Sequence, residues 1–140
     1  MDFPFQITSY EAYKAAYEKS VAEPEQFWND IAEQFLWRKK WDKVLEWNFR
    51  EPSIKWFLNG KLNLTENCLD RHLPAMAEQP AIIWEPNGVE EPNRIISYGE
   101  LHFKVNQFAN VLRKNGVQKG DRVCIYMGMI PELTIAMLAC

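Results

Sequence analysis

The hydrophobic positions near the start of the chain follow the period of an α-helix. They recur every three or four residues, at Tyr10, Tyr13, Tyr17 and Val21. Thr8 precedes Glu11 by three residues, which is the spacing of a capping box at a helix N-terminus. The pattern therefore predicts an amphipathic helix that begins close to Thr8.

A second amphipathic helix is predicted directly after the first. Pro24 suits the first turn of a helix, because this turn leaves its N–H groups unpaired and proline has none. From there Phe27, Ile31 and Phe35 recur every fourth residue. That spacing predicts one apolar face along the helix.

The next region, 41–63, follows neither the helical nor the strand period cleanly. Its first apolar residues are Trp41, Val44, Leu45, Trp47 and Phe49. Pro52 interrupts the pattern, and the pair Asn59 and Gly60 is a turn signal. The region is therefore predicted to be irregular, tightly packed coil with short strands.

A short helix is predicted around Cys68. Asn63 or Thr65 can cap its start, and Leu69 continues its apolar side. Pro74 predicts its end, because a proline disfavours the helical conformation in the residue before it.

After residue 80 the pattern changes to alternating strands and helices. Two strands, 81–85 and 94–98, flank a loop that contains proline and glycine, so they are predicted to pair antiparallel. Ser97 and Glu100 have capping-box spacing. The helix that they open carries apolar residues at Leu101, Val105, Phe108 and Leu112. Gly116 supplies its C-terminal stop.

The last part of the chain adds one more strand and one more helix to this order. "GDRVCIYM", residues 120–127, predicts a buried strand, and Pro131 predicts the start of a very apolar helix. A strand, a helix and a parallel strand form a crossover unit of an α/β fold. One such unit cannot close a sheet, and the last helix stops at Cys140 with apolar residues left to cover. We therefore expect a chain cut from a larger protein.

The predicted fold class is α/β, with two regions. Residues 1–80 form a helical and irregular N-terminal region, and residues 81–140 form the first strand–helix units of a larger α/β domain that is truncated at its C-terminus.

Composition and charge exclude several classes of function. The chain has 140 residues, of which 47% are apolar, and this is enough for a core. A net charge of −3 without a run of five like charges argues against nucleic acid or anionic membrane as a partner. Residues 1–13 lack the apolar segment of a signal peptide, and no stretch reaches the ~20 apolar residues that span a bilayer. These features predict a soluble, cytoplasmic protein.

The three cysteines fit neither a disulfide framework nor a zinc site. Cys68, Cys124 and Cys140 are odd in number, widely separated and set among apolar neighbours. They are predicted to be small buried hydrophobic residues in a reducing compartment. For Cys68 an inert packed thiol is favoured over a reactive one.

The polar motifs do not assemble a reaction site. "NGVQKGDR", residues 115–122, fits no phosphate-binding fingerprint and is predicted to be a helix stop followed by a turn. His72 and His102 stand thirty residues apart, and neither is predicted to bind a metal. Asp70 and Arg71 lie beside His72, but neighbours on a helix point about 100° apart, so a relay is not expected.

Several segments together resemble one family. They are "WNFREPSIKWF", "WFLNGKLNLTENCLDRHL", "AIIWEP", "ISYGELH" and "GDRVCIYMGMIPELTIAMLAC". Over residues 10–140 the chain is similar to the N-terminal part of the AMP-forming acetyl-coenzyme A synthetases, which belong to the acyl-adenylate-forming acyl-CoA synthetases. One departure is Gly128, where members of the family often have proline.

The resemblance implies a two-step ligase. Acetate and magnesium-bound ATP would give acetyl-adenylate and diphosphate, and coenzyme A would then displace AMP. The phosphate loop, the hinge region, the catalytic lysine and the residues that bind coenzyme A would all follow Cys140. We therefore assign no catalytic, cofactor-binding or metal-binding residue within residues 1–140, and this chain alone is expected to be inactive.

Two alternatives remain at this point. The protein could be a synthetase for propionate or another short-chain acid, or a non-catalytic module for interaction or oligomerisation, with a homo-oligomer possible. In each case the stretch 56–73 is interpreted as scaffold. Its expected buried residues are Trp56, Phe57, Leu62 and Leu69. Asp70, Arg71 and His72 are expected to satisfy local polar groups.

Overall fold

The computed structural model describes residues 6–140. The first five residues lie outside the described residues. The prediction that residues 1–13 lack a signal peptide rests in part on them. The chain divides into two compact units between Asn63 and Leu64. Each unit is described by itself.

The first unit begins with the two predicted helices, α1 (Tyr10–Ala22) and α2 (Pro24–Ala32). The cap of α1 is Ser9 rather than Thr8, because the Ser9 Oγ accepts a hydrogen bond from the Ala12 amide at 3.1 Å. Pro24 lies in the first turn of α2, as predicted. Phe35 lies beyond the end of α2, so the predicted apolar face is shorter than expected.

The apolar side of α1 is exposed. α1 has no buried residue. Tyr10, Tyr13, Tyr17 and Val21 are all exposed to solvent. The rings of Tyr13 and Tyr17 stack on each other, with centroids 6.2 Å apart. The helical period is therefore confirmed, whereas nothing in the described part of the first unit buries this face.

A regular β-hairpin replaces the irregular coil predicted for 41–63. β1 (Lys43–Asn48) pairs antiparallel with β2 (Ser53–Leu58). Leu45 lies opposite Trp56, and Trp47 lies opposite Ile54. Such aromatic and branched cross-strand pairs stabilise a hairpin. The short strands were predicted, whereas their regular pairing was not, and Pro52 lies in the connection between them.

The turn signal at Asn59 and Gly60 is confirmed. The Gly60 amide donates to the Phe57 carbonyl at 2.9 Å, and Phe57 and Asn59 have φ values of 50° and 61°. A Cβ atom on Gly60 would lie 2.7 Å from a ring carbon of Trp37. Glycine is required because the indole approaches the backbone this closely.

The second unit begins with three short helical segments, α3 (Leu64–Cys68), a 3₁₀ turn (Asp70–His72) and α4 (Leu73–Met76). Pro74 lies in the first turn of α4 and does not terminate the preceding helix. The prediction of a stop at Pro74 was wrong because the first turn of a helix tolerates proline.

The next three elements follow the prediction closely. β3 (Pro80–Trp84) and β4 (Arg94–Ser97) pair antiparallel, and α5 (Tyr98–Lys114) follows at once. The Ser97 Oγ caps α5 by accepting from the Glu100 amide at 3.2 Å. At the other end, Gly116 has φ +85° and its amide donates to the Arg113 carbonyl at 3.0 Å. This is the left-handed glycine stop that the sequence predicted.

The core of the second unit lies between β4, α5 and the last helix, α6 (Pro131–Ala139). It consists of Leu69, Ile96, Leu101, Val105 and Ile135. Within residues 6–140, no helix has the length and apolar character that crossing a membrane requires.

The buried strand predicted at 120–127 is absent. Residues 121–128 have no assigned secondary structure, and Tyr126 is fully exposed. In the described part of the chain no strand pairs with this segment. Because a strand needs a neighbour to satisfy its backbone groups, the segment does not count as a strand, and the predicted crossover unit does not form.

The prediction of buried cysteines was also wrong. Cys68, Cys124 and Cys140 are all exposed free thiols. The residues on either side of Cys68, Asn67 and Leu69, are buried instead. Cys124 lies in the unpaired segment 121–128 and is exposed with it.

Candidate functional site

The stretch 56–73 is divided between the two units. Residues 56–63 belong to the hairpin and its following turn, and residues 64–73 belong to the second unit. Leu69 is buried, with 1% of its surface exposed, as predicted. Trp56 is 40% exposed and Leu62 is 41% exposed, so their predicted burial was wrong. Phe57 is half-buried.

Asp70, Arg71 and His72 each contact a different neighbour. The His72 ring lies against the Tyr98 ring, with centroids 5.6 Å apart. The Arg71 Nη1 donates to the Asn67 Oδ1 at 3.3 Å. Asp70 points to another helix. Arg71 and Asp70 therefore contact local polar groups, as predicted, whereas His72 packs against an aromatic ring.

Asp70 pairs with the second histidine of the chain. Its Oδ1 lies 3.4 Å from the His102 Nε2 on α5, and the Asn106 Nδ2 lies 3.0 Å from the same nitrogen. Asn106 also donates to the His102 carbonyl at 2.9 Å. The cluster holds an imidazole, a carboxylate and an amide. An acyl-transfer site would need a hydroxyl or thiol beside the imidazole, and the amide occupies that place.

A bidentate ion pair joins β4 to the first turn of α6. The Arg94 Nη2 and Nη1 lie 2.7 Å and 3.4 Å from the two carboxylate oxygens of Glu132. The hydrogen bond with Arg94 lowers the pKa of Glu132, and the hydrogen bond with Glu132 raises the pKa of Arg94. Sequence reasoning missed this pair, because its members are far apart along the chain.

Trp84 completes the attachment of α6. Its ring centroid lies 5.7 Å from the Arg94 guanidinium carbon, within cation–π range. Its Nε1 donates to the Met129 carbonyl at 2.7 Å, just before α6 begins. The Thr65 hydroxyl binds the other end of this helix, donating to the Leu138 carbonyl at 2.8 Å. These polar side chains therefore position a helix.

Several N–H groups of the loop 115–122 donate to nearby carbonyl and carboxylate oxygens. The Val117 amide donates to the carbonyl of Leu112 at 3.1 Å. The Gln118 amide donates to the Asp121 carboxylate at 2.8 Å, and the Asp121 amide donates back to the Gln118 carbonyl at 3.0 Å. An anion-binding loop needs free N–H groups that converge on one point. The prediction of a helix stop and turn is confirmed.

An open cavity of about 660 Å³ lies beside this loop. The ends of α5 and α6 form its other walls, and its lining is more apolar than polar. Arg113 and Lys119 provide the cationic side chains of its lining. In residues 6–140, His, Cys, Asp and Glu side chains nowhere gather in a group of three or more that could hold a metal ion.

Two family models together match almost the whole chain. Residues 13–68 match the model described as "Acetyl-coenzyme A synthetase N-terminus", and residues 69–140 match the model described as "AMP-binding enzyme".

Curated relatives agree with these family models. The chain is 54% identical over 129 residues to the acetyl-coenzyme A synthetase of Bdellovibrio bacteriovorus, a match that covers 91% of this chain and 20% of that protein. It is 53% identical over 135 residues to the acetyl-coenzyme A synthetase of Chlorobaculum tepidum, covering 96% and 20% respectively. The chain thus spans about a fifth of the length of these relatives.

A solved structure is similar in fold. The acetoacetyl-CoA synthetase from Streptomyces lividans superposes with a TM-score of 0.80 at 28% identity, covering 95% of this chain and 20% of that one. The α/β class and the resemblance inferred from the sequence are confirmed. The chain belongs to the AMP-binding enzyme family, and its residues 13–68 are the N-terminal segment of the acetyl-coenzyme A synthetase type.

Proposed function

We propose that this chain is the N-terminal part of an AMP-forming acetate–CoA ligase. Such a ligase converts ATP, acetate and coenzyme A into acetyl-CoA, AMP and diphosphate through acetyl-adenylate. The observation that carries the proposal is the identity of about one half, along nearly the whole chain, with two acetyl-coenzyme A synthetases.

Within that ligase the chain acts as scaffold. Formation of the adenylate requires neutralisation of phosphate charge by magnesium, a lysine and a glycine-rich loop. Two of the features of this chain that could contact phosphate make internal contacts instead. Arg94 binds Glu132, and the loop after α5 binds its own amides. ATP, magnesium and coenzyme A would therefore be held by residues other than those of this chain, which alone should be inactive.

We further propose the division made from the sequence, with an N-terminal region at 1–80 and the start of the large AMP-binding domain at 81–140. The change from short helical segments to strand β3 at Pro80 supports this division, while residues 64–80 pack with α5 in one compact unit. Leu69 packs in the core with Leu101, and the Gly99 amide donates to the Ala77 carbonyl at 2.8 Å.

The same proposal includes small-molecule partners, location and assembly. Acetate, ATP and coenzyme A would be the substrates, the protein would be cytoplasmic, and a homo-oligomer is possible. Three exposed free thiols fit a reducing compartment, where cysteines stay unpaired.

Two alternatives have support of their own. Similarity to an acetoacetyl-CoA synthetase favours a ligase for another short-chain acid, with the same two-step chemistry. The exposed face of α1, with Tyr10, Tyr13 and Tyr17, favours a module that binds a partner through aromatic side chains.

A graft tests the proposal. Residues 1–140 replace the matching segment of the Bdellovibrio bacteriovorus synthetase, and acetate-dependent exchange between ATP and diphosphate is measured. We expect activity close to that of the relative, and no activity in a control from which the segment is deleted. A folded graft without exchange would contradict the scaffold role.

The same assay separates the alternatives. Repeating the exchange with propionate and acetoacetate measures whether the graft changes the preferred acid. A deletion control that keeps full exchange activity would favour the interaction module, because the segment would then be dispensable for the chemistry.

A further inference from the structure

We draw no further inference here: the strongest candidate, the exposed segment 122–127 between the loop after α5 and the start of α6, is an unpartnered apolar face, and nothing in the structure shows what covers it.

Discussion

Leu69→Ala should destabilise the second unit more than a nearby leucine substitution. Leu69 is 1% exposed and packs in the core with Ile96 and Leu101. The substitution removes three carbon atoms, and burial of each contributes about 0.8 kcal/mol, which gives about 2.4 kcal/mol. The cavity left among residues of β4, α5 and α6 adds about 1 kcal/mol or more. The expected cost is therefore about 3–4 kcal/mol.

Hydrogen exchange followed by mass spectrometry measures this cost within the second unit. Peptides from α5 should exchange at least about a hundredfold faster in the variant, or lose protection altogether, since about 1.4 kcal/mol corresponds to a factor of ten. Peptides from the hairpin β1–β2 report the first unit in the same experiment. They show whether the loss is confined to the second unit.

Leu64→Ala is the matched control. Leu64 begins the same short helical region but is 67% exposed, so its truncation should change exchange in α5 by less than a factor of about three. An acceleration below about tenfold in Leu69→Ala, or equal effects of the two substitutions, would refute the assignment of Leu69 to the core.

Three further predictions concern the ion pair, one glycine and one helix cap. The hydrogen bond from Arg94 lowers the pKa of Glu132 in the folded state. The carboxylate therefore stabilises the folded state at pH values above the unfolded-state pKa of Glu132. This stabilisation is lost as the pH falls through the lower folded-state pKa. Glu132→Gln should therefore lower stability at neutral pH and match the unsubstituted chain in acid, as measured by urea unfolding at several pH values; a difference that persists in acid would contradict this. Gly60→Ala should cost about 1–3 kcal/mol, because the new Cβ meets the Trp37 ring, whereas Gly128→Ala meets nothing within 4 Å and should be nearly neutral in the same unfolding assay. Ser97→Ala should cost about 1 kcal/mol of stability by thermal unfolding, and Ser97→Asp should restore it, since either side chain can accept from the first-turn amide.

The elements that could be predicted are those with local signals. α5 combines a period of 3.6, a cap at Ser97 and a left-handed glycine at Gly116, all within one stretch of sequence. The pair β3–β4 combines two short apolar runs with a loop of proline and glycine between them. Each signal acts within a few residues, so the sequence alone suffices.

Strand β1 of the hairpin also has a local pattern in its sequence, but the residues before it interrupt that pattern. Leu45, Trp47 and Phe49 alternate with Glu46 and Asn48, which is the period of a half-buried strand. Lys43 and Val44, directly before this alternation, broke the pattern over the longer window. A shorter window would have predicted the first strand.

The prediction of a strand at 120–127 was wrong for a different reason. Its apolar run is typical of a buried strand, but a strand exists only where another strand pairs with it. That condition depends on tertiary partners, which periodicity does not report. The exposure of Cys124 follows from the same cause, because the thiol lies in the unpaired segment.

The polar contacts were the least predictable part. Arg94 with Glu132, and Asp70 with His102, are pairs that only the packing of α5 and α6 on their neighbours brings together. In the sequence, Asp70 stands two residues before His72, and nothing in that spacing points to its partner on α5.

Local contacts account for the charged and imidazole side chains at residues 70–72. A catalytic acid, base or nucleophile must be able to reach a substrate atom, so its polar atoms cannot all serve as structural contacts. Here Arg71 binds Asn67, and His72 packs on Tyr98. Asp70 faces an imidazole on α5. Because Asp70 and His72 contact side chains of α5, they hold the short helical segments against that helix and serve the packing of the second unit.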